Sequence, residues 1–290
     1  VNARALMNFV SLRAAETAQH EFRALEMLAR AGYPVPQVDL VEPESAPLGR
    51  AFLIMQRVEG VSLGRRLHNA DPAVRDQELD RFCRLLARLH TLVWQTLPGA
   101  EHVPTVTVEQ QLAFWESFGA QHPIDTLTRC LGWLRAAAPK IVAQPLGLVH
   151  WDFHHENILV DGANEAWVID WTQFQASDVR FDLAWTLVLL ASERDPATAD
   201  AVRAGYYAQR GWDADSVAEE MGFFEAAACA KRLLSVIISL GMGADTVGMR
   251  PGAEQIMISR LSHFVPVYQR WVDLTATPLP DVEVILAGHL

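Results

Sequence analysis

The stretch GLVHWDFHHENILVDGANEAWVIDW, residues 147–171, limits the folds open to this chain more than any other. Two short apolar runs, 158–160 and 166–169, flank the turn-forming DGAN, and this pattern predicts an antiparallel hairpin. Sequence on both sides has helical periodicity, so the hairpin interrupts helices. The octet HWDFHHEN (150–157) runs directly into the first strand and therefore sits on a loop. Any fold for this chain must set one hairpin, fed by a loop dense in titratable groups, among helices.

Upstream, Phe22, Leu25 and Leu28 recur at helical spacing over 14–30, and Gly32 follows as a stop signal. PVPQVDLVE (34–42) and RAFLIMQRV (50–58) are short apolar runs punctuated by proline and glycine, which predicts strands paired as an antiparallel hairpin. Asp71-Pro72 reads as an N-cap followed by proline, opening a helix through Leu79, Phe82, Leu86 and Leu89. Thr107 with Gln110 forms a second capping signal. Everything from Asp71 to about 140 reads as helical, and further helices are expected near 181–192, 195–210, 215–240 and 253–275. The fold class is α+β: a small strand-bearing N-terminal lobe, residues 1–59, and a large, mostly helical C-terminal lobe, residues 60–290.

Half of the 290 residues are apolar, ample for a packed core. The longest apolar runs fall short of the roughly 18 residues a membrane span needs. No basic segment followed by an apolar stretch opens the chain, so no secretory signal is expected. The first residue is Val1, not Met, so an upstream segment is expected. Cys83, Cys130 and Cys229 are odd in number and far apart, which disfavours disulfides and points to a reducing, cytoplasmic setting. A net charge of −11 disfavours nucleic-acid and anionic-membrane partners and suits a cationic small molecule, although it also serves solubility alone.

The histidine-rich octet has two chemical readings. His150, Asp152, His154 and His155 offer ligands that zinc prefers, but their order, H-x-D-x-H-H, reverses the run used by metallo-β-lactamase-like hydrolases. The second reading uses more of the sequence. Asn157 follows Asp152 by five positions, and Asp170 follows Asn157 by thirteen, after the second strand. Phosphoryl-transfer sites use this layout: a loop Asp takes the hydroxyl proton, the Asn of that loop holds magnesium, and an Asp after a hairpin holds it too. Asn157 and Asp170 would face one triphosphate from the two ends of the hairpin, with Asp152 turned toward the acceptor.

On these residues the chain resembles the aminoglycoside phosphotransferase and choline kinase family, which has a protein-kinase-like fold. Its H-G-D-x-H-x-x-N signature is matched by His150, Asp152, His154 and Asn157, with Trp151 in the glycine position. IDW matches the metal-binding motif, and DVRFDLAWTL (178–187) resembles the segment that follows it, giving Asp182 a structural role. HEFRALEMLARAGYPVPQV (20–38) resembles the helix whose acid, here Glu21, pairs with a phosphate-binding basic residue. FLIMQRVEG (52–60) resembles the strand and hinge between lobes, where the backbone of Gln56 and Val58 would meet the purine edge and Met55 would back the pocket. The resemblance implies a kinase acting on a hydroxyl of a small molecule, aminoglycoside-like or otherwise cationic, with Mg2+ and with ATP or GTP as co-substrate. A metabolic choline, ethanolamine or homoserine kinase is the alternative enzyme.

Two departures keep a catalytically silent nucleotide-binding protein open. The family's basic residue, usually lysine, lies upstream of the helix acid, yet the lysines of this chain are Lys140 and Lys231. Arg13, eight residues before Glu21, or Arg4, seventeen before it, must substitute. Also, no glycine precedes Gly32, so a phosphate-covering glycine-rich hairpin is not visible. In the C-terminal lobe, Glu116, Asp125, Glu219, Glu220, Glu225 and Asp245 are candidates for holding a cationic acceptor, and Trp115, Trp171, Trp185 or Trp271 for walling its pocket.

Overall fold

A computed structural model describes residues 5–9, 14–44, 51–68, 70–243 and 253–289. The chain divides into two compact units, Val1–Thr105 with Leu146–Val179, and Val106–Pro145 with Arg180–Leu290. This division by compactness groups the 147–171 hairpin with the N-terminal strands.

The first unit opens with strand β1 (Ala5–Phe9), helix α1 (Ala14–Arg30), β2 (Val38–Glu42) and β3 (Phe52–Gln56). The hairpin expected from 34–58 forms as β2 and β3, and β1 joins its other side, giving an antiparallel sheet in the order β1-β3-β2. Helix α1 buries Ala18, Ala24, Leu25, Met27 and Leu28 along one face and packs on β2 and β3. It stops where expected. Gly32 takes φ +69, and Tyr33 N–H returns to Leu28 O at 2.9 Å, a closure that a side chain at residue 32 would strain.

The helical expectation from Asp71 to about 140 fails at one short strand, and a strand not foreseen stands ahead of that region. Strand β4 (Gly60–Ser62) precedes helices α2 (Leu63–Leu67) and α3 (Pro72–Thr91), and the two-residue β5 (Thr105–Val106) follows. Strands this short carry no alternating pattern of their own. The 147–171 region supplies their partners: β6 (Gly147–Val149), β7 (Ile158–Asp161), β8 (Ala166–Val168) and then β9 (Gln175–Ser177), in sheets ordered β4-β7-β8 and β5-β9-β6. A Cβ at Gly60 would lie 2.5 Å from Val160 O, so only glycine permits this approach of β4 to β7.

The turn of the β7–β8 hairpin is held from outside. Glu78 is fully buried on α3 between Arg66, at 2.6 Å, and Arg81, at 2.9 Å. Arg66 also donates to the side-chain oxygen of Asn164 at 3.1 Å and Arg81 to its carbonyl at 2.8 Å. Removing one partner of such a buried pair costs about 3–5 kcal/mol, so Glu78 clamps the hairpin to α2 and α3.

The second unit is helical: α4 (Val108–Gln121), α5 (Asp125–Ala137), α6 (Val179–Glu193, continuing from the first unit), α7 (Pro196–Arg210), α8 (Ala214–Met242), α9 (Ala253–Ser259), α10 (Val265–Thr275) and α11 (Pro280–Leu286). The Thr107–Gln110 capping box forms with both reciprocal bonds. The helix expected over 253–275 is broken. A 3-10 turn, Leu261–Phe264, separates α9 from α10, and Pro266, which has no N–H to donate, sits in the first turn of α10. Helix α8 is the centre of this unit and packs against α5 and α10. Its buried Glu225 is held by Arg203 and by Arg270. The three cysteines are free and buried, and burial pushes each thiol up, Cys83 and Cys130 to about 12. Among the described residues no helix is long and apolar enough to cross a membrane.

Candidate active site

His150 follows β6 and is fully buried, its ring 4.5 Å from that of Trp171 and 5.8 Å from that of Phe153. It bridges two segments. The Asp152 N–H donates to Nδ1 at 3.2 Å, so the neutral ring carries its proton on Nε2 and donates it to Ile169 O at 2.9 Å. One imidazole thereby locks the loop before Asp152 to the strand end before Asp170.

Trp151 explains its own departure from the resembled signature. Its φ is +65, the region where glycine is unstrained and an L-residue costs roughly 1–2 kcal/mol. The indole is 6% exposed, and truncating a buried Trp costs about 3–5 kcal/mol, so packing outweighs strain. Trp151→Gly is therefore expected to lower stability by roughly 1–4 kcal/mol in urea unfolding, the difference of the two terms. A glycine variant more stable than the parent would show that strain dominates.

Asn157 and Asp170 do not face the site from opposite ends. Antiparallel pairing sets Ile158 opposite Val168, and the Ile169 N–H donates to Asn157 O at 3.0 Å, so both residues lie together at the open end of the hairpin. Asn157 Nδ2 donates to the Asp152 carbonyl at 3.0 Å and lies 3.5 Å from Asp152 Oδ2. That bond orients the amide so that its oxygen is turned away from Asp152. Asp170 is exposed, has φ +66, and accepts a hydrogen bond from Thr172 Oγ1 at 3.0 Å. Strained backbone at two positions beside one loop is a common mark of a functional site. An amide oxygen and a carboxylate are hard oxygen donors, the set that fits magnesium. Neither Thr172 nor the contact of His154 Nε2 with Asp152 Oδ2, at 3.5 Å, was legible beforehand. For His154 the signal was its position two residues beyond Asp152.

Glu21 lies behind this cluster. It is 1% exposed on α1, and its Oε1 accepts the Trp171 N–H at 3.3 Å. Its Oε2 is buried with no hydrogen-bond partner among the described residues. Burial first, and then the Asp170 charge, push the carboxyl up to about 7. A cation beside Glu21 would oppose both effects by favouring the carboxylate. Arg13 and Arg4, the residues expected to supply one, lie outside the described residues.

Gln56 and Val58 line a cleft of ≈ 610 Å³ together with Glu59, Asp161, Ala163 and Trp167. The volume is in the range of small-ligand sites. The Gln56 N–H is spent on Gln37 O at 2.7 Å, so its carbonyl is the backbone group that a base could use. Met55 is buried in β3 and is not part of this lining.

The acids expected to hold a cationic acceptor are mostly committed elsewhere. Glu116 pairs with Arg135, Asp125 with Arg129, Glu220 with Arg180, and Glu225 with Arg203 and Arg270. Glu219 is exposed, and Asp245 lies outside the described residues. Trp171 and Trp271 are fully buried, and Lys231 already covers the face of Trp185 at 4.1 Å, which leaves the half-buried Trp115. Asp182 is fully buried in the first turn of α6.

The zinc reading finds no support in the geometry. Among the described residues no three His, Cys, Asp or Glu side chains converge as a metal-binding group, since His150 turns inward and His155 is buried beside Glu156.

Comparison with known proteins bears on the same residues. The chain is 27% identical over 188 residues to acyl-CoA dehydrogenase family member 10 of Mus musculus, a match covering 60% of this chain and 17% of that protein, so the chain spans under a fifth of that relative's length. Among solved structures, choline kinase LicA from Streptococcus pneumoniae is similar with a TM-score of 0.62 at 17% identity, over 95% of this chain and 87% of that one. The GDP complex of wild-type aminoglycoside 2'-phosphotransferase-IIIa gives 0.63 at 15%, over 95% and 87%. Identities this low establish the fold, which is protein-kinase-like. The profile of the phosphotransferase enzyme family matches residues 3–218, well over half of the chain, and the chain belongs to that family.

Proposed function

We propose that this chain transfers the γ-phosphoryl group of ATP or GTP to a hydroxyl of a small molecule. The observation that carries the reading is the meeting of Asp152, Asn157 and Asp170 at the open end of one hairpin, with the Asn157 Nδ2–Asp152 O bond of 3.0 Å fixing their order. Asp152 orients the acceptor hydroxyl and takes its proton. The Asn157 side-chain oxygen and the Asp170 carboxylate hold magnesium, which when bound supplies charge neutralisation to the phosphates. Glu21 anchors a basic residue, Arg13 or Arg4, whose planar fork would meet phosphate oxygens in pairs where a lysine would offer a point charge. The Gln56 carbonyl and the Val58 N–H meet the purine edge, and residues 1–59 and 60–290 act as the nucleotide and acceptor lobes.

The proposed acceptor is an amine-bearing alcohol, aminoglycoside-like or of the choline, ethanolamine or homoserine type. The net charge of −11 supports this class, as do the names of the similar structures, a choline kinase and an aminoglycoside phosphotransferase. The ion pairs of Glu116, Asp125, Glu220 and Glu225 argue that capture rests on the overall field and not on these acids. The free buried thiols fit a reducing cytoplasm. Fields of this kind are screened over about 8 Å at physiological salt, so raising salt is expected to raise the acceptor KM while nucleotide KM holds or falls. A best acceptor without positive charge, or an acceptor KM flat in salt, would remove the cationic assignment.

One observation favours a second reading, a silent nucleotide-binding protein: no lysine precedes Lys140, so the basic residue that the family places upstream of the helix acid is not a lysine in this chain. Calorimetric titration with ATP and GTP, with and without magnesium, followed by assay of phosphate transfer, separates the two. Magnesium-dependent binding with transfer supports the enzyme, and binding without transfer to any alcohol supports the silent protein.

A further inference from the structure

The side chain of His154 projects from the loop between Asp152 and Asn157, and neither the phosphoryl-transfer reading nor the fold requires it to. Its two ring nitrogens are differentiated by their surroundings. Nδ1 accepts the Glu156 N–H at 3.2 Å, closing a local turn that caps the short helix His155–Asn157. An imidazole that accepts at Nδ1 carries its proton on Nε2 when neutral. That Nε2 stands 3.5 Å from Asp152 Oδ2, the same oxygen that lies 3.5 Å from the Asn157 amide. Both side chains keep partial access to solvent, His154 at 17% and Asp152 at 30%. Contacts of catalytic groups are often long in the free protein and tighten when the substrate is bound.

We propose that His154 is a positioning residue: through its Nε2–H it fixes the rotamer of the Asp152 carboxylate, and so the direction from which an acceptor hydroxyl is met. The backbone amide of Glu156 sets the tautomer, so the orientation is built into the loop before any ligand arrives. This inference rests on the proposed role of Asp152 and adds a second residue to it. Misplacing a reacting group by about 1 Å can cost on the order of 100-fold in rate, which is the scale on which such an orienting contact acts.

The two functions of the ring can be separated by substitution. Asparagine places its side-chain oxygen where Nδ1 stands and keeps the cap to Glu156, but its amide nitrogen stops short of the Nε2 position and of Asp152. Glutamine reaches as far as Nε2 and restores the donor. His154→Asn is expected to fold with parental stability and bind magnesium-nucleotide within about twofold, while kcat falls by roughly 10- to 30-fold; His154→Gln is expected to return kcat to within about threefold of the parent. Independently of any acceptor, nitrogen-15 NMR of the His154 ring is expected to show the Nε2–H tautomer, with the Nε2–H resonance shifted in Asp152→Asn. A His154→Asn protein with parental kcat, or a glutamine variant as slow as the asparagine one, would overturn the positioning role. So would a ring resonance indifferent to Asp152→Asn. Failure of the phosphotransferase reading itself looks different: the parent protein would show no transfer, while the ring resonance would still report whether the contact exists.

Discussion

Asp152→Asn is expected to lower turnover by about a thousandfold or more while changing magnesium-nucleotide affinity by no more than about twofold, the signature of a lost general base. The second half of this expectation comes from a detail of the loop. Asn157 is oriented mainly by the main-chain carbonyl of Asp152, at 3.0 Å, and the substitution leaves that carbonyl in place. The His150 bridge to the Asp152 amide is likewise a backbone contact and survives. The variant therefore keeps the loop and the proposed metal ligands and loses only the carboxylate. Steady-state kinetics with the best acceptor, alongside calorimetric nucleotide titration, checks both halves. Turnover near that of the parent would remove Asp152 from the mechanism, and a large loss of nucleotide affinity would move it into the metal site.

The second large effect is expected at Asp170. Asp170→Ala removes the charged ligand proposed to be shared by metal and phosphates, and magnesium-dependent nucleotide affinity should fall by about 100-fold or more. Because Asp170 has φ +66, alanine also strains the backbone there, whereas asparagine tolerates this region. Asp170→Asn is therefore the cleaner variant. It removes the charge but keeps an oxygen donor, so it is expected to lose less affinity than the alanine variant and to be more stable than it by roughly 1 kcal/mol, the cost of the left-handed conformation. If the alanine variant kept parental affinity in magnesium, Asp170 would not be a metal ligand.

The parts of this site that were legible in the sequence are the parts that local chemistry dictates. Asp152, Asn157 and Asp170 lie within a span short enough for a loop and a hairpin to bring together, and DGAN announced the turn. What the pattern did not resolve was that antiparallel pairing sets Asn157 and Asp170 side by side. Glu21 contacts Trp171 across 150 positions, a distance no local pattern spans, and only family resemblance pointed to it. The same limit applies to the acids of the helical unit. Glu225 looked available because Arg203 and Arg270, which neutralise it, come from two other helices. Strands β4 and β5 escaped because two or three residues cannot show a period and their pairing partners lie far along the chain. The break between α9 and α10 escaped for a different reason: apolar residues continue at helical spacing through it. Pro266 was the available signal.

Phosphoryl transfer to a small alcohol is read out by phosphorus NMR of the protein with magnesium and ATP or GTP, across aminoglycosides, macrolides, choline-like amines and amino-acid alcohols. A new phosphomonoester resonance is expected with at least one amine-bearing alcohol, formed in step with nucleoside diphosphate, dependent on magnesium and absent with Asp152→Asn. Tight magnesium-nucleotide binding with no phosphomonoester from any alcohol, or a phosphomonoester formed equally well by Asp152→Asn, would contradict this expectation.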